Sequence, residues 1–403
     1  MNNMATGIGG SSIESELAAL TPPPGRPAVL SADEYASRHQ RARAIMAQSN
    51  IPALLVNAGA SLRYFTGLAW GPTERLVAMI LSLDGRPIMI CPAFEEGSLR
   101  AGLAIEADII LWQEHENPFA ILARELDRRG IGALALDPAL PFGAFDILRR
   151  TTPDYALSNA AALIDLCRSC KSQAELALIK YAMNLTLGVH KSAARILRAG
   201  ITTGEVKRFI DLAHRACGAD NGSSFCAVQF ASASAYPHGL PGEQSLAMGD
   251  LVLIDTGCQI QGYNSDITRT YVFGPPSLEL SRIWAIEKQA QAAAFSAVKP
   301  GVPCEEIDRI ARQVLIDHGL GPDYNLPGLP HRTGHGIGLS IHEGPYLVRG
   351  DRTPLAPGMC FSNEPMIVIP DQFGIRLEDH FYVTETGAEW FTPPQMAIDR
   401  PFS

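Results

Sequence analysis

DTGCQIQGYNSDITRT, residues 255–270, is the stretch from which the rest of the chain can be read, because it sets two carboxylates in what its pattern makes a β-hairpin. The preceding run LVLI, 251–254, is short, apolar and β-branched, which suits a buried strand, and residues 267–273 alternate well enough to pair with it. A turn about Ile260 and Gln261, with Gly262 beside it, places Asp255 opposite Asp266 with Cβ atoms roughly 5 Å apart. Two like charges at that distance repel unless one is protonated or a cation lies between them. Aspartates are also common in solvated turns, so this hairpin alone leaves a metal site and a pair of loop residues both open.

A second stretch repeats the arrangement. In NEPMIVIPDQFGIRLEDH, 363–380, Glu364 and Glu378 flank another apolar, β-branched hairpin centred on Asp371, with Pro370 and Gly374 supplying turn chemistry. Between the hairpins lies TGHGIGLSIHEGP, 333–345, where glycines that permit close backbone approach surround His335 and His342. Four carboxylates and an imidazole converging in a core need cations, and they are a suitable ligand mix for a pair of divalent metals.

The order Asp255, Asp266, His335, Glu364, Glu378, each in its local motif, resembles the pita-bread metallopeptidases: prolidases, aminopeptidases P, methionine aminopeptidases and the metal-free creatinases. The resemblance runs from about Lys171 to the end. It implies an α+β chain whose catalytic domain is a curved antiparallel sheet backed by helices. It implies that Asp266 and Glu378 bridge two metals, that Asp255 binds one, and that His335 with Glu364 completes the other. Manganese is the ion the family suggests, with cobalt or zinc as alternatives. Two such ions would lower the pKa of a bridging water and stabilise the charge that develops as it attacks a carbonyl.

Further roles follow from the same resemblance. Glu364 is the candidate general base. His238, in SAYPHG, and His342 match the family's two non-ligand histidines, which hydrogen-bond the substrate carbonyl and the tetrahedral intermediate. His331 and His380 are given structural readings. Arg376 lies two residues before Glu378 on the same strand face, and could orient the carboxylates or reach a substrate carboxylate. Prolidases hold a dipeptide's free carboxylate with an arginine between the second histidine and the NEP-like motif, where Arg349 and Arg352 are the candidates here; solvated loop charges are the alternative. Thr268 is a candidate hydroxyl near Asp266. One departure stands out: proline-specific members commonly carry a tyrosine near what is here GSSFC, 222–226.

The expected activity is hydrolysis of Xaa-Pro dipeptides, with aminopeptidase P action on longer peptides as the alternative. An Xaa-Pro link has no N–H, so a centre that attacks the carbonyl directly loses nothing by its absence. A non-peptidase metalloenzyme and a metal-free binding module are the readings from other classes, and the intact ligand set argues against the second. Methionine aminopeptidases usually lack the additional domain.

The chain has 403 residues, 46% hydrophobic and 19% charged, long enough for two domains. A net charge of −9 argues against a nucleic-acid or anionic-membrane partner. With no basic residue before Arg26 and no long apolar run at the start, a cytoplasmic location is expected, and the family suggests a homodimer. Eight cysteines show no disulfide-framework spacing; Cys167 and Cys170 form a lone C-x-x-C, expected as reduced thiols near a helix end. We divide the chain into a Gly/Ser/Pro-rich arm at 1–30 that cannot pack as a regular element by itself, an α/β domain with a mixed sheet at 31–160, and the catalytic domain at 161–403. Arg63, Tyr64 and Trp70, in SLRYFTGLAWG, are expected to be packing residues. Ser172 and Glu175 form a capping box opening a long helix to about Arg198, stopped by Gly200.

Overall fold

The computed structural model describes residues 6–402. These fall into two compact units, one of residues 28–168 and the other of residues 169–402 together with residues 6–27 of the N-terminal arm.

The first unit is built on a six-stranded mixed sheet. Its middle strands Ala53–Asn57, Ala78–Ser82 and Ile88–Pro92 are antiparallel neighbours, while Asp108–Trp112, Ala133–Leu136 and Ala156–Asn159 add parallel edges. The three middle strands are buried at every position, which is why they read as continuous apolar runs rather than alternating ones. Tyr64, on the helix Ala60–Thr66, is 3% exposed and donates its hydroxyl to the Cys167 carbonyl at 2.7 Å, a packing role as expected. The helix Ala161–Arg168 stays with this unit, so the division falls after Arg168 rather than at 160. All eight cysteines are free, and burial pushes the Cys167 thiol up to about 11.

The second unit joins strands into antiparallel sheets backed by four helices. Ser223–Phe230, Leu251–Ile260 and Ile267–Val272 form one ladder; Glu343–Leu347, Gly334–Gly336, Cys360–Asn363, Asp379–Val383 and Ala388–Trp390 form another; Met366–Ile369 pairs with Phe373–Arg376. A bridge between Thr268 and Glu378 connects the first ladder to the last segment. The four backing helices are Gln173–Arg195, Thr203–Ala216, Leu278–Ser296 and Cys304–Asp317, beside a short one in the arm. The expected capping box is formed: Ser172 Oγ accepts from Glu175 N at 3.3 Å, and Glu175 Oε2 accepts from Ser172 N at 2.8 Å. That helix stops at Arg195, short of the expected Arg198, because the Leu197 N–H bonds to the Ala194 carbonyl three residues back instead of four and Gly200 N is taken by the Leu246 carbonyl.

The arm, expected to form no regular element by itself, gains one by docking. Ser12 caps a helix, Ile13–Ala19, and Gly9 N and Ser11 N donate to the carbonyls of Ala194 and Arg195. Glu16 meets Arg195 at 3.1 Å. Seven residues are too few to hold a helix alone, so its order comes from this docking, which composition does not reveal.

The two hairpins that carry the acidic residues differ in how well their register could be read. Ile367 faces Ile375 and Met366 faces Arg376, the register centred on Asp371. The other hairpin turns at Gln261 and Gly262, both at positive φ (50° and 80°), one residue later than expected. Asp255 therefore pairs with Thr268, not Asp266. The shift displaces the partner by two residues, and an even shift keeps both carboxylates on one face.

Candidate metal centre

The predicted ligands converge on one cavity of about 520 Å³, lined by Asp255, Asp266, His335, Glu364, Glu378, Arg376, His238 and His342, together with Phe225, Pro237, Pro330, His331, Arg332 and Ile341. His335 Nε2 lies 3.1 Å from Glu364 Oε1, 3.7 Å from Asp266 Oδ2 and 4.0 Å from Glu378 Oε1. Its other nitrogen lies 3.0 Å from the Gly336 carbonyl, which leaves Nε2 directed at the acids.

Each acidic side chain is held from behind. Ser362 Oγ donates to Glu364 Oε1 at 3.0 Å and accepts from His335 N at 2.8 Å, so one hydroxyl sets two neighbouring groups. Thr268 Oγ1 donates to Glu378 Oε2 at 2.6 Å, where the sequence placed this hydroxyl near Asp266 instead. Arg376 reaches Asp255 Oδ2 at 2.5 Å through Nη2 and Thr268 Oγ1 at 3.1 Å through Nε, joining the two hairpins. Deeper still, fully buried Arg269 donates to the Glu378 carbonyl at 2.9 Å and to Asp379 Oδ1 at 2.7 Å, while Gln291 holds the other Asp379 oxygen. Arg269 was missed because nothing in a strand's alternation separates a buried arginine from a surface one.

Burial drives the electrostatics. It raises the Asp266 and Glu378 carboxyls well above the usual carboxylate range, and their acidic neighbours push further. Asp255 is raised by burial against the pull of Arg376. For Glu364 burial, the largest single effect, also acts upward, but His335, His331 and Arg376 together oppose it and the carboxyl ends below its ordinary range. Asp255 Oδ1, Asp266 Oδ1 and Glu378 Oε1 are buried without a hydrogen-bond partner. Inward-facing oxygens of this kind are costly unless a cation or ordered water meets them, so the donor set fits divalent metal.

Two residues given structural readings stand at the site. Asp266, His335, Glu378 and His380 each offer a ligand atom within 4.8 Å of the others. His380 comes in because it is two residues beyond Glu378 in an extended segment and so shares its face, while Asp379 between them points to Arg269. His331 lies on the cavity wall with Nδ1 2.7 Å from the Arg332 carbonyl. By contrast, Arg349 and Arg352 are not in the lining: Arg349 is ion-paired with Asp323 and Arg352 with Glu305, both at the surface. Phe225 occupies the wall in the region where a tyrosine was expected.

His342 packs edge-on to His335 with ring centroids 4.2 Å apart, and burial, with the neighbouring His335, brings its imidazole down to about 4. A neutral imidazole facing the cavity can donate one hydrogen bond to a carbonyl oxygen without carrying charge.

Comparison with known proteins agrees with this geometry. Residues 177–385 match the metallopeptidase family M24, and residues 38–170 match the creatinase/prolidase N-terminal domain. The probable dipeptidase PepE of Mycobacterium tuberculosis is 33% identical over 374 residues, which cover 89% of this chain and 94% of that protein. A crystal structure of dipeptidase PepE from Mycobacterium ulcerans superposes with a TM-score of 0.82 at 32% identity, covering 91% of this chain and 97% of the other. A prolidase from Thermococcus sibiricus gives 0.81 at 30% identity, covering 91% and 98%.

Proposed function

The chain belongs to metallopeptidase family M24, with the pita-bread fold, and on that premise we propose that it is a two-metal dipeptidase that cleaves Xaa-Pro dipeptides. The observation that carries the dipeptide reading is the pairing of the acidic centre with Arg332 in one cavity. Among the described residues Arg332 has no carboxylate partner, and its guanidinium lies over the Tyr346 ring, 4.3 Å from the centroid. A fixed guanidinium is matched to a carboxylate in two-point geometry, and a dipeptide offers one next to its scissile bond. This role passes to Arg332 from Arg349 and Arg352, whose charges are already taken.

Manganese is the ion we propose, held by Asp255, Asp266, His335, Glu364 and Glu378, with cobalt or zinc as substitutes. When bound, such ions acidify a water and polarise the scissile carbonyl. The chain's own residues do the rest. Glu364, kept ionised by His335, His331 and Arg376 against its burial, accepts the proton of the attacking water and returns it to the leaving nitrogen. His238 and His342 donate to the carbonyl oxygen as it gains charge. A cytoplasmic homodimer is part of the same reading; among the described residues no helix is long and apolar enough to cross a membrane.

The test is hydrolysis, with added manganese, of an Xaa-Pro dipeptide, its amidated form and an Xaa-Pro-Xaa tripeptide. The expected result is cleavage of the free dipeptide alone. Preference for the tripeptide would replace this reading with aminopeptidase P action, and no cleavage of any of them would move the activity to another reaction at the same centre.

A further inference from the structure

His342 is presented to the cavity by a short loop, and that loop is folded around a buried carboxylate. Glu343 follows His342 and opens the strand Glu343–Leu347. Its Oε2 accepts from Ser340 N at 3.3 Å. A Cβ on Gly338 would lie 2.5 Å from Glu343 Oε1, so a side chain there would have to displace this carboxylate. Asn264 fastens the same point from the other side, donating through both its backbone N and its Nδ2 to the Gly338 carbonyl, each at 2.9 Å.

The counter-charge comes from far along the chain. Lys171 Nζ lies 2.8 Å from Glu343 Oε1 and 3.2 Å from the Ser169 carbonyl, and the two charged side chains are 2% and 8% exposed. Its backbone N is bonded to the Gly358 carbonyl at 2.8 Å, so the lysine cannot drift with the loop. A buried ion pair is a poor source of stability, because desolvation offsets most of the attraction, but removal of one partner leaves a buried charge that must move or be solvated. At this place, moving Glu343 moves His342.

We propose that Lys171 is a positioning residue for His342: the Lys171–Glu343 pair fixes the loop so that the imidazole meets the substrate carbonyl. This rests on the peptidase reading above. A shift of about 1 Å in a group that must meet a developing charge can cost on the order of 10²-fold in rate.

The experiment is a double-mutant cycle on the manganese-loaded full chain with the Xaa-Pro dipeptide, using Lys171→Met, His342→Ala and the pair, with metal content measured in each. Lys171→Met lowers kcat by tenfold or more with metal content unchanged; in the His342→Ala background it costs less than twofold, and Lys171→Arg recovers most of the loss. Equal factors in both backgrounds, or a loss accounted for by lost metal, would overturn the proposal. Histidine side-chain 1H–15N spectra of metal-free protein give a reading independent of turnover: Lys171→Met shifts or broadens the His342 signal, assigned by its loss in His342→Ala. An unmoved signal also refutes it. If Lys171→Met does not fold, Glu343→Gln, which keeps the shape and removes the charge, is read in the same cycle and spectra. Failure of wild type to cleave any peptide sinks the peptidase reading, whereas additive losses in an active enzyme sink only this one.

Discussion

Arg376 holds Asp255 at 2.5 Å and, through Thr268, is one hydrogen bond removed from Glu378, so a single guanidinium sets carboxylates from both hairpins. Arg376→Met leaves Asp255 free to rotate and Thr268 with one partner fewer. Manganese affinity falls about 10- to 100-fold, the usual cost of losing such a supporting contact. Titration of metal-free protein measures it, and unchanged affinity would show that the carboxylates are set by their strands alone.

Asp255→Ala and Glu378→Ala abolish turnover, and bound metal drops below two ions per chain. Elemental analysis with the dipeptide assay checks both. Full activity with unchanged metal content would contradict the two-metal centre.

Arg332→Met raises KM for the free dipeptide by tenfold or more and changes that for the amidated dipeptide little, since only the first offers the carboxylate. Arg349→Ala and Arg352→Ala stay within twofold of wild type, because their partners lie at the surface away from the lining. An equal KM effect on both substrates in Arg332→Met would remove the carboxylate role.

Metal removal destabilises the protein more as pH rises. The folded metal-free chain holds Asp266 and Glu378 with raised pKa, so it binds more protons than the unfolded chain above about pH 4. Its stability is then lost as pH climbs through the raised values. Ions bound in place of protons cancel this, so the Tm gap between loaded and chelated protein widens as pH is raised above about pH 4. A gap constant with pH would mean that these carboxyls do not share the burial described.

Acid acts in the opposite sense at two buried histidines. His190, bonded to the Ile267 carbonyl, and His214, between Thr186 and Ser223, are 0% exposed. Burial first, then nearby cationic groups for His190, brings them down to about 3 and about 4. The unfolded chain takes their protons near pH 6.5 and the folded chain does not, so stability present above that pH is lost as pH falls toward those values. For His214 the full loss is on the order of 3 kcal/mol. Denaturant midpoints of metal-loaded wild type and His214→Asn between pH 7 and pH 4.5 isolate it, the variant showing the shallower slope.

Sequence by itself determined which acidic side chains line the cavity, because a strand's two-residue period survives a register error of two: the spacing pairs Asp255 with Asp266, the structure pairs it with Thr268, and both carboxylates still face the cavity. It also determined the capping box at Ser172 and the buried strand segments of the first unit, both of which rest on local preferences. The tertiary structure alone decided what lies behind and beside those side chains. Arg269 behind Glu378, Arg332 in the cavity, His380 beside His335 and Lys171 under Glu343 are ordinary polar residues in their local sequence. Their roles come from contacts across more than a hundred positions in the case of Arg269 and Lys171, and from the fold of the cavity wall in the case of Arg332. Local sequence fixes which face of a strand a side chain occupies, but only packing fixes which charge it meets there.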